Sequence, residues 1–203
     1  MMYFKTLFLT CVLLPWTLLC YANSLGEIRT AAEKIKSING HFIQEKQMPI
    51  LSRPLLARGF FAYQRPASLR WEYKEPLGSI MLLYNGKAHR YIPSSDSNWK
   101  EDNTANLQSM DFILQEIANW LNGRFTENPM FNVKLENNNR IVMIPKKKDI
   151  SQFLQRIELT MGDQLGVMKE VVIFETKDSF TRFTFIDLNI NQPISPDIFQ
   201  KIQ

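Results

Sequence analysis

The chain has 203 residues, 24 basic and 20 acidic, with a formal charge of +4, 45% hydrophobic residues and two cysteines. That balance excludes a disordered, low-complexity chain, and with no polybasic arm and no arginines interleaved with aromatics there is nothing a nucleic acid would grip. Both cysteines, Cys11 and Cys20, fall near the N-terminus, so no disulfide framework spans the remainder. Stability has to come from apolar burial, and the length suits one domain.

Lys5 precedes an apolar run from Leu7 to Leu19, and Cys20-Tyr21-Ala22 ends in a small residue. Residues 1–22 read as a secretory signal peptide cleaved after Ala22, which leaves residues 23–203 as a single cysteine-free domain. Two alternatives stay open: an uncleaved anchor, although the apolar core is short for a permanent span, and lipid attachment at Cys20, where Leu19 occupies a position that usually holds a small residue.

Leu25, Ile28, Ala32 and Ile35 recur at helical spacing and predict an amphipathic helix over residues 24–37. Strands are expected near 41–48, 55–64, 68–74, 79–85, 88–93 and 97–102, then near 130–137, 140–145, 153–161, 167–176 and 180–190. The run QRPASLRWEYKEPLGSIMLLYNGKAHRY, Gln64 to Tyr91, is the most informative. It breaks at Arg65-Pro66 and then alternates, with Leu69, Trp71 and Tyr73 on one face and Arg70, Glu72 and Lys74 on the other, so one side should be greasy and one wet. Many strands joined by short turns predict a large antiparallel sheet curling toward a barrel.

Between the two strand series, residues 109–123 predict a helix capped by Ser109, favoured at its start by Asp111 and terminated by Gly123. Met110, Ile113, Leu114, Ile117, Ala118, Trp120, Leu121 and Phe125 fall on one arc, opposite Asp111, Gln115, Glu116, Asn119 and Asn122. Such a helix either plugs a barrel core or forms a lid over a cavity wide enough for acyl chains.

Enzyme signatures are missing. The sequence has no G-x-S-x-G elbow, phosphate loop or H-E-x-x-H, and Glu72 and Glu75 sit where carboxylates are simply solvated. His41 and His89 fall in separate strands without clustered carboxylates, so structural roles and no metal are expected. Lys146-Lys147-Lys148 reads either as a solvated turn or as an electrostatic patch for an acidic partner or an anionic membrane surface.

HFIQEKQ at 41–47, RPLLARGFFAYQRPASLRWEYKEP at 53–76, the hairpin at 80–92 and PISPDIF at 193–199 together resemble the LolA family of periplasmic outer-membrane lipoprotein carriers. The shared elements are Phe42 and Gln44, Gly59 before an aromatic strand, Arg65-Pro66, the Leu-x-Trp-x-Tyr strand and Pro76. The segment ILSRPLLARG departs from the better-known carriers and looks like a related subgroup. The resemblance implies a mainly β fold, a strongly curved, unclosed antiparallel barrel-like sheet covered by helices around a hydrophobic cavity. It implies a monomeric periplasmic carrier without cofactor or catalysis that takes acylated lipoprotein, or a related acylated lipid, from an inner-membrane ABC release complex to an outer-membrane LolB-type acceptor. Arg65 matches the family's arginine that bonds to the lid and keeps the empty cavity closed, and the cavity wall is expected from Phe42, Leu69, Trp71, Tyr73, Met81, Leu83, Ile113, Ile117, Trp120 and Leu121. A different class of function on the same fold is a lipid-sensing or regulatory module that binds a membrane-protein partner and shuttles nothing.

Overall fold

The computed structural model describes residues 23–95, 98–102, 107–137 and 139–202, without the side chains of 107–113. The leader at 1–22, with Cys11 and Cys20, and the side chains of Ser109, Met110, Asp111 and Ile113 lie outside the described residues.

One antiparallel sheet of 11 strands dominates, in the order β6-β5-β4-β3-β2-β1-β11-β10-β9-β8-β7. Its first arm is the meander β1 (Ser37–Gln47), β2 (Leu55–Gln64), β3 (Ser68–Glu75), β4 (Ser79–Tyr84), β5 (Lys87–Pro93) and β6 (Trp99–Glu101). The second arm comprises β7 (Phe131–Glu136), β8 (Arg140–Pro145), β9 (Arg156–Met161), β10 (Met168–Phe174) and β11 (Phe180–Ile190). The arms join where β1 pairs with β11, from Ile38 opposite Ile190 to Gln47 opposite Phe180. Among the described residues β6 and β7 are the outer strands and do not pair, so the curved sheet is unclosed. Register shifts at Asn39/His41, Arg58/Gly59 and Met168/Glu170 add the local bending that such curvature needs. Gly59 permits it at close range, because a β-carbon there would collide with the Glu72 carbonyl and the Phe42 ring.

Among the described residues three helices and a terminal turn flank the sheet. α1 (Leu25–Glu33) starts in a reciprocal capping box: Glu27 N–H donates to Ser24 Oγ (3.2 Å) and Ser24 N–H donates to Glu27 Oε2 (2.7 Å). It is shorter than the sequence suggests, since Ser37 already belongs to β1 and hydrogen-bonds to the Gln192 carbonyl (2.7 Å). α2 (Leu107–Leu121) connects the two outer strands and so has to cross the concave face, where it packs on β3, β4 and β5. It starts two residues before the expected cap, which puts Ser109 inside the helix. Its end follows the left-handed glycine pattern: Gly123 has φ +76, its N–H donates to Trp120 O (3.0 Å), and Arg124 N–H donates to Asn119 O (2.8 Å). α3 (Lys148–Ser151) is one turn that the sequence reading missed; it delays β9 to Arg156.

The wet face of β3 needs correction. Arg70 is only 5% exposed, because the terminal turn Pro196–Phe199 lies over it; the guanidinium donates to the carbonyls of Ile198 and Lys201 (3.0 Å each) and pairs with Glu72 (2.8 Å). Glu72 and Glu75 are likewise paired, Glu75 with Arg58 at 3.2 Å. On the polar arc of α2, Glu116 and Asn122 are buried as well.

Candidate functional site

Inside the concavity lies a cavity of about 1410 Å³. Sites that enclose drug-sized ligands run to roughly 300–1,000 Å³, so this volume suits something longer. β3 and β4 supply Trp71, Tyr73 and Met81; α2 supplies Leu114, Ile117 and Trp120; the second arm supplies Phe131, Ile157, Met168, Val171, Ile173, Phe183 and Phe185. Apolar residues from opposite arms thus converge because inward positions repeat every second residue along each strand.

Aromatic packing backs this wall. Phe42 stacks on Trp71 with centroids 4.3 Å apart, and Trp71 meets Phe183 edge-on at 5.4 Å. Of the residues expected at the cavity, Trp71, Tyr73, Met81, Ile117 and Trp120 border it. Phe42, Leu69, Leu83 and Leu121 do not: all four are buried in the core behind the lining. The second-arm residues went unnamed in the sequence reading, although alternation in QRIELTM and FTRFTFID would have exposed Ile157, Phe183 and Phe185 by the same period-two argument that found Trp71 and Tyr73.

Polar groups touch the cavity near the β10–β11 turn. The Tyr73 hydroxyl donates to Gln44 Oε1 (2.5 Å), and burial pushes the phenol above its ordinary pKa, so it stays a neutral donor. Glu175 accepts from Thr181 Oγ1 (3.0 Å) and Lys46 Nζ (3.4 Å).

At the opposite edge, where β2 turns into β3, Arg65 binds the C-terminal ends of two helices. Its Nε donates to Ile35 O (2.8 Å), and its Nη2 donates to Ala32 O (3.2 Å) and Asn122 O (3.3 Å). Helix C-termini carry unpaired carbonyls with partial negative charge, which a planar guanidinium with several donors can satisfy together. Pro66 O completes the corner, accepting from Asn122 Nδ2 and from the Tyr63 hydroxyl (3.1 Å each). This explains the buried Asn122: the residue that follows α2 is tied to both halves of the Arg65-Pro66 turn. Burial pushes the Tyr63 phenol up to about 12.

The histidines each face one carboxylate that the sequence reading did not anticipate, His41 with Asp187 (3.4 Å) and His89 with Glu101 (2.6 Å). Among the described residues no three potential ligands gather into a metal site, and no helix is long and apolar enough to cross a membrane.

A family model described as "Outer membrane lipoprotein carrier protein LolA" matches residues 33–201. The chain belongs to the LolA family. An outer-membrane lipoprotein carrier protein of Nitrosomonas europaea is 22% identical to this LolA-family chain over 200 residues, covering 88% of it and 84% of the relative. Among solved structures, one from the Pseudomonas aeruginosa MucA/MucB complex aligns with TM-score 0.50 and 15% identity, over 87% of this chain and 59% of that one. The LolA superfamily protein NE2245 of Nitrosomonas europaea aligns with TM-score 0.43 and 9% identity, over 89% and 99%.

Proposed function

We propose that this LolA-family protein is a periplasmic carrier, processed after Ala22, that takes the acyl chains of lipoproteins into the cavity and moves them from an inner-membrane ABC release complex to a LolB-type acceptor in the outer membrane. The observation that carries this reading is the apolar cavity of about 1410 Å³ roofed by α2. No covalent step is involved; transfer rests on where acyl chains are best buried.

The magnitudes fit reversible loading. Each buried methylene contributes about 0.8 kcal/mol, and each hydrogen bond from a charged donor about 1.5–3 kcal/mol. Insertion of a few methylenes therefore offsets loss of the Arg65 bond to the lid at Asn122 O. A latch of this strength closes an empty cavity without preventing loading, and its re-formation favours release.

A second reading is a regulatory module that senses lipid and binds a protein partner. It draws on the fold shared with a chain of the MucA/MucB complex, a likeness of fold alone.

The test of the carrier reading uses Ile117, which borders the cavity and is only partly buried. Ile117→Asp sets a carboxylate among acyl chains, an arrangement that costs several kcal/mol unless it protonates or stays hydrated. Purified wild-type protein should take up a triacylated lipoprotein released from inner-membrane vesicles, while the variant, judged folded by circular dichroism, should load at least about tenfold less. Equal loading per folded molecule removes the carrier reading.

A further inference from the structure

Five of the seven large hydrophobic side chains exposed among the described residues sit at one edge of the sheet: Ile50 (88% exposed), Leu55, Leu56, Leu77 (80%) and Phe153 (65%). The pairing places them together, because β1 ends where β2 begins, β3 ends where β4 begins, and β8 ends where β9 begins, all along this one edge. Leu77 and Phe153 also border the cavity, so this edge is its mouth. The exposed lysines Lys146, Lys147 and Lys148 lie beside Phe153 on the segment that carries α3. Of the acids nearby, exposed Asp149 directly follows Lys148 and offsets one of the three charges, Glu175 is already engaged by Lys46 and Thr181, and Asp178 is adjacent to Lys177.

We propose that the mouth of the cavity docks on an anionic phospholipid surface, with Ile50, Leu77 and Phe153 entering the headgroup boundary and Lys146, Lys147 and Lys148 pairing with lipid phosphates. Exposed apolar tips carried on three separate segments around an opening, flanked by lysine, match a flat anionic interface better than a groove-bound protein segment. Docked this way, an acyl chain moves between bilayer and cavity past Leu77 and Phe153 without crossing water. The purpose of the surface rests on the carrier reading; its existence is tested separately.

Flotation with phosphatidylethanolamine vesicles containing phosphatidylglycerol, and with phosphatidylcholine vesicles as control, measures it. Wild-type protein should partition onto the anionic vesicles at about 0.05 M salt, several-fold less at about 0.5 M, and little onto phosphatidylcholine. Reversal of all three lysines to Glu should lower anionic partitioning about tenfold or more. Leu77→Ser with Phe153→Ser should lower it several-fold, and because these side chains are exposed, thermal unfolding should stay unchanged. Equal binding to both vesicle types, no binding, or binding indifferent to both variants overturns the proposal, as does docking only in the presence of a membrane protein. Uptake of a pyrene-labelled fatty acid by the same samples separates the two readings. Vesicle binding without uptake defeats the carrier reading alone, and uptake without vesicle binding defeats the docking surface alone.

Discussion

Where β2 turns into β3, Arg65 satisfies carbonyls from the ends of two helices, Pro66 O accepts two hydrogen bonds, and Gly123 lets α2 close against α1, with the buried Asn122 Oδ1 left without a hydrogen bond. At the opposite edge, Leu77 and Phe153 stand in solvent although apolar, and α3 is a single turn. The first edge is stabilised by what it holds within the chain, whereas the second leaves apolar surface for something outside it. The proposed carrier function would use this asymmetry, since a molecule latched at both ends would not admit cargo and one latched at neither would not discharge it.

The comparison breaks most readily at Gly123. Its φ of +76 disfavours any side chain, and a β-carbon there would lie 2.9 Å from that of Ala32. Gly123→Val should destabilise the fold by about 3 kcal/mol through strain and overlap, visible in urea unfolding. A loss below about 0.5 kcal/mol would mean that the α1–α2 contact yields and the latched edge is not rigid.

Arg65→Leu should act more selectively, removing about 1–3 kcal/mol of preference for the closed lid while leaving the sheet intact. Loading should match wild type or exceed it, and delivery to acceptor vesicles should fall roughly tenfold. Arg65→Lys should fall between, because a point charge cannot span three carbonyls. Delivery at the wild-type rate would reduce Arg65 to a turn residue.

The smallest effect at neutral pH belongs to Tyr63. Burial favours its neutral phenol, so the folded chain keeps this proton from its ordinary pKa of 10.0 up to about 12 while the unfolded chain loses it. The stability contributed is complete below pH 10 and lost as pH rises through about 12, on the order of 2 kcal/mol, with Tyr73 acting in the same direction. Tyr63→Phe should cost under about 1 kcal/mol at pH 7, since Asn122 still donates to Pro66 O, and should flatten the alkaline decline of the melting temperature. An unchanged decline would place the alkaline weakness elsewhere.

What could be read from residues alone follows the range of the forces involved. Strand alternation in β2 to β5, the apolar stripe of α2 and the glycine that ends it are local, and they pointed to a large antiparallel sheet curling toward a barrel with a helix packed on it; that the sheet stays unclosed followed from the family resemblance. Arg70 looked solvated because its partners lie 128 and 131 residues away in the chain, at Ile198 and Lys201. Glu116 and Asn122 looked wet because a helical wheel shows direction and not what covers it. Phe42, Leu69, Leu83 and Leu121 shared the lining's chemistry, and only curvature decides which apolar side chains face the void and which fill the layer behind. Phe153 was hidden in a segment read as strand.

The seam between β1 and β11 has a consequence for assembly. Each arm is a series of hairpins whose contacts are close along the chain, so each can begin to order by itself. The seam instead joins Ile38 to Ile190, and it holds the two arms side by side. Without it there are two half-sheets with greasy faces and no enclosed volume, so the cavity, lined from both arms, exists only where the last strand meets the first.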